Sequence, residues 1–214
     1  MRLSVFVPLI ATVVYVGCAR AQADASPRHR ELAREAGLAE AVVEPLLRHG
    51  SDLKRLEGIG QDGQVVPVAG LTVALPEAQA RRAVSALREA LGPGYVVFQS
   101  AQNFGSAPDR VAVLRSTDPF DPLRTMATNG TNYDIHTDSI ITRLADWDRR
   151  YGLTIVGAGL DWVEAELVRP PPDWVAFARE VYEFCPDIVD QGTETVEALA
   201  EEMKESRTVY LWWD

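Results

Sequence analysis

Apolar and polar positions along the chain divide it into segments of two different periods. Residues 28–49 carry Leu32, Ala36, Leu38, Ala39, Val42, Val43, Leu46 and Leu47 at helical spacing, with Gly37 separating a short helix from a second one. Gly58, Gly60 and Gly63 then mark loops. The main domain opens near Gln64. Residues 71–75 form a strand, Pro76 suits the first turn of a helix reaching Leu91, and Gly92-Pro93-Gly94 stops that helix. Strands at 95–100 and 111–115 flank a polar loop containing Asn103, Gly105, Pro108 and Asp109. A Pro-rich stretch at 118–123 and a polar segment at 128–137 lead into a helix ending at Tyr151, with Ile140, Ile141, Leu144, Ala145 and Trp147 as its apolar face. Strands at 153–156 and 162–168 lie either side of Gly157-Ala158-Gly159, a hairpin. Pro170-Pro171-Pro172 ends the second strand and opens a helix over 173–184. A last helix over 194–205 precedes a strand over 208–213, whose two apolar faces place it centrally in the sheet.

The order from Leu71 to Val156 is β-α-β-β-α-β, the ferredoxin-like split pattern. The expected fold is therefore α+β: a mixed sheet of about six strands with packed helices, its ferredoxin-like core extended by a hairpin strand, two helices and a terminal strand. The domain plan is a leader over residues 1–23, a helical extension and loop over 24–63, and the α+β domain over 64–214.

Composition narrows the function. Hydrophobic residues make up 47% and charged residues 24%, enough to bury a core without staples. The formal net charge of -10, with no Lys/Arg cluster after the leader, argues against nucleic acid as a partner. Arg2 followed by the apolar run 3–16 reads as a signal peptide, too short to span a bilayer. Two cleavage patterns overlap there. In one, residues 15–18 are a lipobox and Cys18 is lipidated; in the other, Ala19-Arg20-Ala21 or Ala21-Gln22-Ala23 is an A-x-A site. These two, and a leader kept uncleaved as an anchor, all predict an exported protein, lipid-anchored at the cell envelope or released, that meets membrane only through its leader or a lipid on Cys18. Cys185 is then left without an intramolecular partner, as a buried thiol or a reactive one.

The C-terminal half resembles a bacterial family known as domain of unknown function 4253. The residues that carry the resemblance are Asn129-Gly130-Thr131-Asn132-Tyr133-Asp134, Asp161-Trp162 with Glu164, Arg169-Pro170, Phe184-Cys185-Pro186-Asp187, Gln191-Gly192 and the terminal Trp212-Trp213-Asp214. They cover roughly 104–214. The resemblance implies no activity, substrate or catalytic residue.

Three sets of residues carry candidate chemistry. If part of 129–138 is extended, Asn132, Asp134, His136 and Asp138 share one side, and Asp134, His136 and Asp138 offer oxygen and imidazole ligands for a divalent metal. Turn formation, with Thr137 or Asp138 capping the next helix, explains the same residues. Glu164 and Glu166 share a strand face with Trp162, a solvated face on which Trp162 would anchor a ligand, while Val163, Ala165 and Leu167 face the core. Cys185 with His136 would make a thiol–imidazole pair.

The function expected first is a protein- or ligand-binding module, with Asn132, Tyr133, Asp134, Trp162, Glu164 and Glu166 as contacts. The alternative is a metal-dependent hydrolase on Asp134, His136 and Asp138 with Glu164 as general base. No cofactor beyond such a metal is expected.

Overall fold

The computed structural model describes residues 25–60 and 63–214. The expected leader, with Cys18, lies outside the described residues. Ser26 caps the first helix, α1 (Pro27–Glu35), and Pro27 opens it with a φ already suited to a helix. Gly37, at φ 73°, makes the left-handed turn that leads through a 3-10 turn (Glu40–Val42) to α2 (Val43–His49). These helices and the connection between them bury Ala33, Leu38, Val42, Val43 and Leu46.

The hairpin β1 (Ser51–Ile59) and β2 (Val65–Leu75) follows, then α3 (Glu77–Leu91), β3 (Tyr95–Ala101) and β4 (Asp109–Arg115). The second half comprises α4 (Asp121–Met126), α5 (Thr137–Tyr151), β5 (Leu153–Ala158), β6 (Trp162–Leu167), α6 (Trp174–Phe184), a π-helical turn (Ile188–Thr193), α7 (Val196–Ser206) and β7 (Thr208–Trp212). The fold is α+β, with all seven strands in one mixed sheet of order β1-β2-β4-β3-β5-β6-β7. None of the described helices is long and apolar enough to cross a membrane.

Alternation along the strands assigns each face a core. Leu71, Val73, Val97, Val111, Val113 and Val156 point toward α1–α3. On the opposite face Ile155, Val163, Ala165, Leu167, Val209 and Leu211 pack with Leu144, Trp147, Phe177 and Met203 of α5–α7. Phe98, Ala112 and Leu114 share that opposite face with Leu56 and Ala158.

The structure differs from the sequence expectation in three places. Residues 51–59, expected as part of a loop, form an edge strand. Asp52, Lys54, Arg55 and Glu57 sit along it and only Leu56 and Gly58 are buried, so its alternation is hidden by the charges that protect an edge from further pairing. The ferredoxin-like pattern is kept in β2-α3-β3 with β4 inserted between the two strands, but β5 does not close it beside β2. β1 already occupies that edge, and β5 lies parallel to β3 instead. The terminal strand is an edge strand rather than a central one; it pairs only with β6. Its outer edge is covered by Cys185, whose Sγ donates to the Trp212 carbonyl at 3.0 Å and accepts from the Trp212 N–H at 3.4 Å.

The seam between the two halves of the sheet is thin. β3 and β5 share one paired position, Gln99 with Gly157. Arg88 of α3 spans the gap, donating to the carbonyls of Val97 (2.7 Å) and Ile155. It thereby satisfies backbone acceptors that a continuous ladder would have paired.

Candidate ligand-binding cleft

The apolar face of α3 seats the helix over β3 and β4, leaving its next side, with Arg81, toward β6. On that side the strand residues alternate outward: Trp162, Glu164 and Glu166 of β6, with Tyr210 of β7 paired opposite Glu164. A cavity of about 160 Å³ opens here, lined by Glu77 and Arg81 of α3, Gln99 and Gln102 at the end of β3, Phe104 and Asp109 across the β3–β4 loop, and Glu164.

Three polar side chains in this wall are buried: Glu164 is 7% exposed, Gln99 7% and Asp109 0%. Arg81 pairs with Glu164 and reaches Glu166 at 3.7 Å. Asp109 accepts from Gln99 Nε2 at 2.8 Å and from the Asn103 N–H at 2.8 Å, which fixes the start of the loop. Tyr210 donates its hydroxyl to Gln102 Oε1 at 3.1 Å. Burial, with Asp161 and Cys185 nearby, pushes Tyr210 up to about 12, so at neutral pH it is a donor. The loop then turns through Phe104 at φ 46° and Gly105 at φ 77°. A left-handed conformation is unusual for an aromatic residue, and it holds the Phe104 ring 78% exposed on the rim.

Trp162 is not the exposed anchor expected of it. Its ring is 8% exposed, stacked on Tyr210 with centroids 6.0 Å apart. It lies against the backbone of Gly157 and Gly159: a Cβ added at Gly157 would meet Trp162 Cζ3 at 2.5 Å. The two glycines therefore make room for an indole. Glu164 is likewise enclosed rather than solvated, and Glu166 is half-buried. The pairing with Arg81 explains why two glutamates face the same side.

The polar run 129–138 folds as a compact loop rather than an extended segment. Gly130 and Ile135 exchange backbone bonds, Thr131–Tyr133 is a 3-10 turn, and Asp134 is left-handed at φ 54°. His136 begins α5 as its N-cap without a side-chain bond, so neither Thr137 nor Asp138 caps it. Period-two sharing of one side by Asn132, Asp134, His136 and Asp138 is thus lost. His136 Nε2 stands 3.7 Å from Asp134 Oδ1 at the surface, with both side chains more than four-fifths exposed. Among the described residues no group of three His, Cys, Asp or Glu side chains is placed to hold a metal ion.

This loop instead ties the C-terminal motifs together through Asp187. Asp187 is 3% exposed and accepts from Tyr133 Oη (2.5 Å), Gln191 Nε2 (2.9 Å) and the Asp214 N–H (2.9 Å). Burial works to raise its carboxyl, but these donors hold it below the usual aspartate range. The same contact pushes Tyr133 up to about 12. Gly130 lies flat on Trp213, where an added Cβ would come within 2.8 Å of Cγ, and Asn129 N–H donates to the Leu160 carbonyl at 2.7 Å. Residues from four distant stretches of sequence meet at this node.

Cys185 belongs to this scaffold. Burial pushes its thiol up to about 11, leaving it protonated at neutral pH, and its partner is the Trp212 backbone rather than His136. Asn132 and Asp134 are exposed on the loop, and Tyr133 is turned to Asp187. Of the sequence candidates, only Glu164 lines the cleft. Sequence reasoning missed Arg81, Gln99, Gln102 and Asp109. A glutamine inside the apolar run 95–99 was the available signal, since a polar residue in a buried strand needs a partner.

A family model described as Domain of unknown function (DUF4253) matches residues 110–214. No curated protein and no solved structure matches the chain. The matched part opens inside β4 and contains Glu164, Tyr210 and the Asp187 node, while Arg81, Gln99, Gln102 and Asp109 lie before it.

Proposed function

We propose that this protein, whose C-terminal half is a DUF4253 domain, is an exported binding module that takes a small polar ligand in the cleft between α3 and β6. The observation that carries the reading is Glu164. It is a carboxylate 7% exposed in the wall of a cavity, and among the described residues it is paired only with Arg81, whose own side chain stands half in solvent. Removing a charge from water costs several kcal/mol unless it is well paired, and an apolar residue of similar size often serves stability as well or better. A buried carboxylate at a cavity is therefore better suited to recognition than to packing. Convergent polar groups in a concave site, backed by an apolar scaffold, are the usual form of a small-ligand pocket.

Export rests on the leader pattern of Arg2 and the apolar run 3–16. Tethering at the envelope rests on Cys18 in the lipobox.

The test is a ¹H–¹⁵N NMR screen of small polar compounds against the protein, following the side-chain amides of Gln99 and Gln102. A ligand of this cleft moves both signals and stops doing so in Glu164→Gln. A library whose binders move other amides and leave these two in place overturns the assignment.

A further inference from the structure

We infer that the head group this cleft accepts is a primary ammonium, an inference that rests on the binding reading above. Some valences around the cavity are already filled and others are open. Asp109 is fully buried and each of its oxygens accepts one hydrogen bond. The bond from Gln99 also orients that side chain. A carboxylate only accepts, so the nitrogen of the amide must face Asp109, and Gln99 Oε1 is left without a donor among the described residues. Glu164 has Arg81 on Oε1, and Oε2 has no donor among the described residues. Glu77 adds a carboxylate at the start of α3 with no ion-pair partner among the described residues, its Oε2 facing Gly105 of the loop.

On the donor side, Gln102 spends its oxygen on the Tyr210 hydroxyl and keeps its NH₂, and Arg81 keeps the N–H groups not used on Glu164. The open acceptors are thus on Glu164, Gln99 and Glu77, two of them carboxylates, and they stand beside the donors left on Gln102 and Arg81. Glu164 and Gln99 are both more than nine-tenths buried and both line the cavity.

An ammonium carries three N–H donors and no acceptor, the complement of these three acceptors. Its charge would offset the second carboxylate, which Arg81 alone does not neutralise. An anionic head would face those carboxylates directly. At about 160 Å³ the space suits a head group with a short aliphatic stem, below the roughly 300 Å³ at which pockets for drug-sized ligands begin. Phe104 on the rim offers apolar surface to such a stem.

The experiment uses three probes of one length, n-butylammonium, 1-butanol and butyrate, titrated at pH 7 into the wild-type protein, Glu164→Gln and Glu77→Gln. Affinity is read from the Gln99 and Gln102 side-chain amide shifts. The expected result is that the amine alone moves both amides, and that its affinity falls about ten- to a hundredfold in Glu164→Gln through loss of a charge-assisted bond. In Glu77→Gln, an exposed change that leaves the fold intact, it falls about threefold. If Glu164→Gln does not fold, the Glu77 variant decides. If the amides respond to butanol or butyrate and not to the amine, or if amine affinity is unchanged in the variants, the ammonium assignment fails and the cleft remains a site. If no probe and no screened compound moves them, the cleft reading falls with it.

Discussion

Replacing Arg88 with Met keeps most of the aliphatic stem packed under α3 and removes the guanidinium that spans the β3–β5 seam. Two bonds are lost, to the carbonyls of Val97 and Ile155, where the strands share one paired position. A hydrogen bond from a charged donor contributes about 1.5–3 kcal/mol net. Two of them would give about 3–6 kcal/mol if the carbonyls stayed dry. Part of that is returned, because the guanidinium is itself buried at a cost: burial holds its pKa below the usual arginine value, with Glu166 partly opposing the shift. A net loss of about 2–4 kcal/mol follows, which in a protein of this size lowers Tm by roughly 5–15 °C. Scanning fluorimetry and urea unfolding measure it, with Arg82→Met as the control. Arg82 is exposed and among the described residues bonds only to its own helix at Ala78, so its loss shifts Tm by about a degree or less. If Arg88→Met melts within a degree of wild type, the seam does not depend on Arg88 and the reasoning is wrong.

Other substitutions test the rest of the scaffold. Asp187→Asn returns Tyr133 from about 12 toward 10.0, read by ultraviolet difference titration, and costs about 2–4 kcal/mol because three donors lose a buried acceptor charge. Gly157→Ala drives a methyl into the Trp162 ring and lowers stability by about 1–3 kcal/mol, visible as a red-shifted, broadened tryptophan emission. Acidification acts through Glu180, which Arg150 holds below its ordinary value with bonds of 2.6 and 2.7 Å. A carboxyl lowered by folding contributes fully above its unfolded value, 4.5 for this residue, and the contribution is lost as pH falls through the folded value. Tm therefore drops below about pH 4.5, and Glu180→Gln flattens that limb of the curve. The folded protein's Cys185 stays unreactive to a thiol reagent at pH 8, since its thiol lies near 11; labelling before unfolding would contradict its burial.

What the sequence revealed and what it hid follow from how each element is stabilised. Helices α3, α5, α6 and α7 bury one stripe each, so their spacing was visible. The β5–β6 hairpin and the inward set Val163, Ala165 and Leu167 were visible for the same reason. β1 was not, because an edge strand pays in charges to avoid pairing further and shows little alternation. The position of β5 depends on which edge β1 leaves open, and β7 ends at the edge because Cys185 covers it from a helix end; neither contact has a local signature. In the candidate site, Glu164 was legible as a carboxylate on the outward side of a strand. Its burial was not, because that is produced by Arg81, distant in sequence, and by the β3–β4 loop. The Asn129–Asp138 run showed its turn chemistry, but nothing local indicated that Tyr133 would be spent on Asp187.

The measurement that bears most directly on the central claim is a crystal structure of the protein soaked with n-butylamine. The account predicts density for the amine nitrogen within hydrogen-bond distance of Glu164 Oε2 and Gln99 Oε1, with Arg81 still against Glu164 or swung toward solvent. An amine that orders elsewhere on the molecule while this cleft holds only water would contradict it.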